Sequence, residues 1–288
     1  MTQSIFLLRV LTHYLSGANS LTPNVTTFLT NTTFAEEQRA LYDEGLPSAW
    51  AVTRGIAPKF VFMSYEDATI DTEYERILAD AEARDPAESL PSDVDPTVLA
   101  GYAAQRQLMF DEFRDPGLSV GGSSWTTDAN AQVFNVKPFS RGQVYINQTD
   151  PLANPVIDLR TASDPADFQL HIALFHKHRE LFNAPSLAAL GPTELVPGPD
   201  VQTDEQVIET MREILEPSNA HQCCSAPMMP RELGGVLSPE MKVYGTTRLR
   251  VIDISHWPKE LAGPPMASIY AAGEKVCFPE LFKSIPLI

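Results

Sequence analysis

The chain has 288 residues, 43% of them hydrophobic, and 21 Lys and Arg stand against 37 Asp and Glu for a formal net charge of -16. That apolar share is ample for a packed core of one large domain or two small ones, and the charge repels nucleic acid and anionic lipid while favouring neutral or cationic partners. No apolar run reaches the roughly 18 residues that cross a membrane.

At the N-terminus the apolar run from Ser4 to Leu8 is broken by Arg9 and again by His13. A secretory core of about 7 to 15 uninterrupted apolar residues is not met, which points to the cytoplasm. Sequons at Asn24, Asn31 and Asn147 suit a secreted surface instead. Three cysteines, two of them adjacent at Cys223 and Cys224, cannot build a conventional disulfide framework, because vicinal bridges are rare. Free, mostly buried thiols are expected.

In chain order, residues 5 to 15 predict a strand. Ala35 to Asp43 predicts a helix with Thr32 or Thr33 as its cap. Ala57 to Met63 reads as a short strand, and Tyr74, Ile77, Leu78 and Ala81 mark a helix over Asp71 to Arg84 that Asp85-Pro86 ends. Asp95-Pro96 opens a second helix, Thr97 to Phe113. Ser123 to Val136 and Gly142 to Ile146 read as strands joined by Lys137-Pro138-Phe139-Ser140-Arg141-Gly142, and a helix runs from Phe168 to Phe182.

The last 70 or so residues carry the most specific signal. They include His221-Gln222-Cys223-Cys224-Ser225-Ala226-Pro227-Met228-Met229-Pro230, then Gly234-Gly235-Val236, Val243-Tyr244-Gly245, Leu249-Arg250-Val251-Ile252-Asp253, and Pro265-Met266-Ala267-Ser268-Ile269-Tyr270. This resembles the C-terminal signature of the glucose-methanol-choline (GMC) flavoprotein oxidoreductases, above all the fungal aryl-alcohol oxidase and glucose oxidase branch. The Pro138-Phe139-Ser140-Arg141-Gly142 turn and Asn154-Pro155-Val156-Ile157-Asp158 are similar to the family's substrate-domain sheet. The resemblance implies an α+β fold, an antiparallel sheet with helices packed on one side, as one substrate-like domain over residues 1–288. In it, residues 243–276 correspond to a piece of the family's flavin domain.

Enzymes of that family hold the dinucleotide pyrophosphate on a strand, a Gly-x-Gly-x-x-Gly turn and a helix N-terminus. This sequence contains no such turn: the doublets Gly121-Gly122 and Gly234-Gly235 lack the spacing and the preceding apolar strand. No cofactor is therefore expected, and FAD enters only if the chain is the C-terminal part or a split subunit of an alcohol oxidase or dehydrogenase. Asp253, Pro265 and Met266 are then relic flavin-side positions.

The resemblance places the family's proton-accepting histidine at His221. Its second catalytic His or Asn falls on Pro264, and proline has neither a side-chain donor nor a backbone N–H. His256 lies three positions after Asp253 and is a second catalytic candidate. Without flavin, an imidazole can still serve acid–base steps such as isomerisation, dehydration or cyclisation at neutral pH. Either residue can equally be an ordinary hydrogen-bonded histidine. His171, His176 and His178 do not share the three- or four-residue spacing of a helical zinc pair, so no metal site is expected.

Trp125, Phe134 and Trp257 are candidates for an aromatic substrate wall, with core packing as the plainer alternative. Two functions from different classes follow. The first is a flavin-independent isomerase or cyclase of a small, oxygenated, apolar metabolite, set in fungal biosynthesis by the resemblance. The second is part of an FAD-dependent alcohol oxidoreductase, and a non-catalytic binding protein stands behind both. The apolar faces of Leu249 to Ile252 and Met266 to Val276, which the family covers with its flavin sheet, predict a homo-oligomer or a flavin-domain partner chain.

Overall fold

The computed structural model describes residues 2–4, 8–15, 25–50, 59–68, 73–125, 130–218 and 220–277. Its centre is an antiparallel five-stranded sheet. The strands lie in the order Lys59–Met63, Gly121–Trp125, Asn130–Asn135, Leu8–Leu15 and Pro192–Glu194. A second sheet of three short strands, Thr2–Ser4, Arg141–Tyr145 and Val156–Asp158, is built round the strand that follows the Ser140-Arg141 turn.

The expected strand over Ser123 to Val136 is two strands, Gly121–Trp125 and Asn130–Asn135, paired as a hairpin. Residues 5–7 of the expected first strand and residues 57–58 of the next lie outside the described residues. The hairpin register puts Trp125 opposite Ala131 and Ser123 opposite Val133, while Gly122 faces Phe134 and Ser124 faces Gln132. Because side chains alternate along a strand and cross-strand partners share a face, Trp125, Ala131, Ser123 and Val133 occupy one side of the sheet. Phe134, Gln132 and Ser124 occupy the other.

The long helix Pro165–Asn183 covers the first side. Leu170, Leu174 and Phe175 join Val133, Met63 and Phe139 in the main core, and Phe182 packs on Ala131 and Trp125. The helix starts three residues before the expected Phe168, and the start has a local cause. Asp164 accepts from the Ala166 N–H at 2.9 Å, and Pro165 fills the first turn, where its missing N–H costs nothing. Asp95 caps Pro96–Arg114 in the same way. Asn31, rather than Thr32 or Thr33, caps the helix Thr32–Asp43 by accepting from Phe34 N–H. Two further helices, Glu73–Glu82 and Asp204–Ile214, bury Ile77, Leu78, Val207 and Met211 in the main core.

A buried polar network locks helices to the Ser140 turn. Asp164 is paired with Arg106 at 2.9 Å and takes the Ser89 hydroxyl at 2.6 Å. Burial pushes the Asp164 carboxyl up, but Ser89, Arg106 and the Ala166 N–H outweigh it and hold it below its ordinary value. Asp167 accepts from the Phe139 and Ser140 N–H groups at 2.6 and 3.0 Å and from the Ser140 hydroxyl. Fully enclosed and near the Asp164 charge, it is nonetheless pushed up to about 6.

Beyond residue 220 the chain is held by turns and isolated bridges. Leu249 to Ile252 is not a strand: Lys242 and Arg250 form a single bridge, and Val243 donates to Leu249. Leu237 in turn bridges Val243 and Met228, so these stretches meet through single-residue bridges and form no ladder. The last described helix is Met266–Cys277. These features give an α+β architecture, with the helices Glu73–Glu82, Pro96–Arg114, Pro165–Asn183 and Asp204–Ile214 sharing one core with Val133.

Candidate active site in the C-terminal segment

The segment carrying His221 has an unusual backbone. Ala220 and Cys224 have φ of 59° and 73°, a left-handed conformation that residues with a Cβ adopt at a cost. Between them His221 is half-buried, and its N–H donates to Ser218 Oγ at 3.1 Å. Burial pushes the His221 imidazole below its ordinary value. The ring is therefore neutral at pH 7 and able to accept a proton.

Cys223 and Cys224 are not free thiols: the structure joins them in a disulfide. Composition argues against a vicinal bridge, yet the two sulfurs are bonded, with Cys224 in a left-handed conformation. Both cysteines are buried, at 1% and 5% exposure, and pack on Trp257.

His256 is brought to the same segment. Cys224, Ala226 and Met228 donate their N–H groups to the carbonyls of Ile254, Ser255 and His256, the last two at 3.0 and 2.8 Å. Asp253 caps the short turn Ile254–His256 by accepting from Ser255 N–H at 2.9 Å. Its carbonyl lies 2.7 Å from His256 Nδ1. A carbonyl only accepts, so Nδ1 carries the proton and Nε2 is the basic nitrogen. His256 is 3% exposed.

A cavity of about 240 Å³ opens beside this segment, between the helix Pro96–Arg114 and residues 224–236. Its wall includes Tyr102, Gln105, Arg141, Cys224, Met229 and Pro258. Gln105 donates to the Pro258 carbonyl at 2.7 Å and fixes one rim. Arg141, which burial pushes below its ordinary value, spends its guanidinium on the carbonyls of Pro138, Phe139 and Ser140 at 2.8, 3.2 and 3.0 Å. His221 and His256 do not line this cavity; their sequence neighbours Cys224 and Pro258 do.

The structure therefore gathers His221, His256 and Trp257 into one segment and separates the other two aromatic candidates. Trp125 lies under the sheet against Phe182, with ring centroids 5.8 Å apart. Phe134 is on the opposite side, edge-on to Phe62 at 5.9 Å. Pro265 is buried and Pro264 is exposed, while Met266 and Tyr270 are 68% and 71% exposed. Sequence reading missed Gln105 and Tyr102, which only their place opposite the 224–236 segment marks, and the buried acid Glu260, which lies beside Lys137 and Arg141; no local motif carries that information. Among the described residues no cluster of His, Cys, Asp and Glu fits a metal ion, and no helix is long and apolar enough to cross a membrane.

Comparisons with known proteins agree with this geometry. A GMC oxidoreductase family model matches residues 138–273. Dehydrogenase xptC of Emericella nidulans is 81% identical over 257 residues, which is 89% of this chain and 41% of that protein. Versicolorin B synthase stcN of the same organism is 38% identical over 140 residues, covering 48% of this chain and 22% of that protein. Among solved structures, an FAD-dependent oxidoreductase from Chaetomium thermophilum superposes with a TM-score of 0.82 at 43% identity, covering 98% of this chain and 48% of that one. A fungal aryl-alcohol oxidase gives 0.77 at 31% identity, covering 96% and 46%. The chain thus spans less than half the length of these relatives, and its residues 138–273 match the C-terminal domain of the GMC oxidoreductases, the part of those proteins to which the whole chain is similar.

Proposed function

We propose that this chain supplies the substrate side of a GMC-type site and acts on a small, oxygenated, largely apolar metabolite, with His221 as proton acceptor. The observation that carries this reading is the half-buried His221, whose neutral form burial favours, set between two left-handed residues and tied through the 224–228 segment to His256. The metabolite's hydroxyl would lie against His221, which takes its proton, while the apolar body is held away from water. Relatives named as biosynthetic synthases and dehydrogenases support a place in fungal secondary metabolism.

A flavin, when bound, supplies a two-electron acceptor for oxidation at the carbon bearing that hydroxyl. The residues of this chain fit one side of such a group. Met266, Tyr270 and Leu249 expose apolar surface at 68%, 71% and 54%, an area that favours a covering partner. The phosphate-binding turn is absent from this sequence, so the nucleotide would be held by a flavin-bearing partner segment. High identity to a protein named dehydrogenase favours this redox reading.

Pro264 favours a second reading. With no side-chain donor at the family's second catalytic position, acid–base chemistry at His221 alone would give an isomerisation or cyclisation without electron transfer. Absorbance of the purified protein in the visible flavin bands, before and after adding FAD, separates the two. A bound flavin carries the redox reading. A colourless protein that turns over an oxygenated pathway intermediate carries the other, and His221→Ala with unchanged turnover would overturn both.

A further inference from the structure

We infer that the Cys223–Cys224 disulfide is a reducible modification site in the cavity wall, and that a small dithiol entering the cavity opens it and displaces His221. This goes beyond the proposed catalysis, because it assigns chemistry to two residues to which neither reading gives a role.

Three observations converge. Cys224 is 5% exposed overall and lines the 240 Å³ cavity, the route by which a small reductant would reach it. Its φ of 73° is one that a residue with a Cβ leaves when nothing holds it there. Only two residues separate His221 from Cys224, and Ala220 on the other side is also left-handed, at φ 59°. The ring closed by the disulfide therefore sits within the same short arc of backbone as the imidazole. The Cys224 N–H reaches Ile254 O only at 3.4 Å, a long bond that does little to hold the residue without the ring.

The exchange balances with a dithiol as the named reductant. One reductant thiolate attacks Cys224 Sγ: a mixed disulfide forms, the Cys223–Cys224 bond breaks, and Cys223 leaves as a thiolate that takes up a proton. The second reductant thiolate then attacks the reductant's own sulfur in the mixed disulfide and releases Cys224, which is protonated in turn. The reductant becomes a cyclic disulfide and has lost two electrons; the protein has gained two thiols. With the ring open, Cys224 can return to negative φ. The arc from 220 to 224 then rearranges, carrying His221 with it and reshaping the wall next to Met229.

The test uses the whole chain. Samples are kept native with or without dithiothreitol, freed of reductant, then denatured in iodoacetamide and weighed intact. The chain has three cysteines, so the expected result is one alkyl group, on Cys277, without reductant and three after native reduction. Three alkyl groups without reductant would show free thiols, and one after native reduction would show a bridge out of reach; either overturns the proposal. The ring resonances of His221, assigned with His221→Gln, are then followed by NMR through reduction and reoxidation. A reversible shift absent from the Cys223→Ser/Cys224→Ser variant supports the coupling. Unmoved His221 signals in a fully reduced wild-type protein would overturn it without that variant having to fold. Neither readout involves turnover, so failure here is distinct from failure of the catalytic readings.

Discussion

The Met228 N–H donates to the His256 carbonyl at 2.8 Å, and that bond joins two stretches of sequence that carry the chain's two candidate catalytic histidines. The Ala226 to Ser255 bond at 3.0 Å lies beside it. His221 and His256 are therefore features of one backbone assembly, whose geometry depends on the short turn that Asp253 begins. Asp253→Ala removes the cap on Ser255, and a lost cap of this kind costs about 1 kcal/mol. Asp253→Asn keeps an acceptor and should unfold close to wild type in urea. If Asp253→Ala unfolds as late as wild type, the turn is held by its neighbours and the cap is dispensable.

Phe62 and Trp125 should respond in opposite ways to truncation. Trp125 is wedged between the sheet and Phe182 on the helix-covered side, so Trp125→Ala is expected to lower stability by about 3 kcal/mol, as large core truncations do. Phe62 is 42% exposed and meets Phe134 on the other side. Phe62→Ala should change stability by less than about 1 kcal/mol, as measured by urea unfolding. Equal losses of stability would show that the Phe62 side is core.

Much of this was legible in the sequence, and the boundary has a physical cause. Asp95-Pro96 disclosed a helix start because cap and first turn are local, whereas the equivalent start at Asp164-Pro165 went unread. The helix observed over Pro165–Asn183 was expected only at Phe168 to Phe182, from the family resemblance. The family signature from His221 onward identified the α+β fold that the structure shows. What escaped was set by pairing and register. The antiparallel pairing of Gly121–Trp125 with Asn130–Asn135 cannot be seen in a run that looks uniformly strand-like, yet its register decides that Trp125 and Phe134 face opposite ways. The Cys223–Cys224 bridge escaped because the sequence does not disclose that Cys224 has φ of 73°.

Arg106 and Asp164 form a pair that is almost fully enclosed, with side chains 3% and 1% exposed. Removing one partner leaves an uncompensated buried charge, a loss of about 3–5 kcal/mol. Arg106→Met and Asp164→Asn should each unfold markedly earlier in denaturant, and the double variant should lose less than the sum. The pH dependence follows from the sign of the shift. Asp164 is held below its ordinary value of 3.8, so its contribution is present above that value and is lost as pH falls through the depressed one. Asp164→Asn should therefore flatten the acid limb of the stability curve. An acid limb as steep as that of wild type would assign acid unfolding to other carboxyls.

Glu260 works in the opposite direction. It is 6% exposed, one of its carboxylate oxygens lacks a hydrogen-bond partner, and burial pushes it up to about 7 despite the Lys137 and Arg141 charges facing it. Lys137 does not neutralise it fully, because its ammonium is paired with Glu112 at 2.9 Å and reaches only the Glu260 backbone carbonyl. The folded state binds this proton more tightly than the unfolded chain. Stability is therefore greatest below the ordinary value of 4.5 and falls as pH rises towards 7. A shift of that size corresponds to an upper bound on the order of 3 kcal/mol. Glu260→Gln removes the titration and keeps the shape, so it should match wild type in relative stability below pH 4.5 and gain on it by about 1–3 kcal/mol above pH 7. Urea unfolding of both proteins across that range measures the difference directly. A constant gap at every pH would mean that the Glu260 carboxyl titrates as it does in the unfolded chain, with its charge compensated by Lys137 and Arg141.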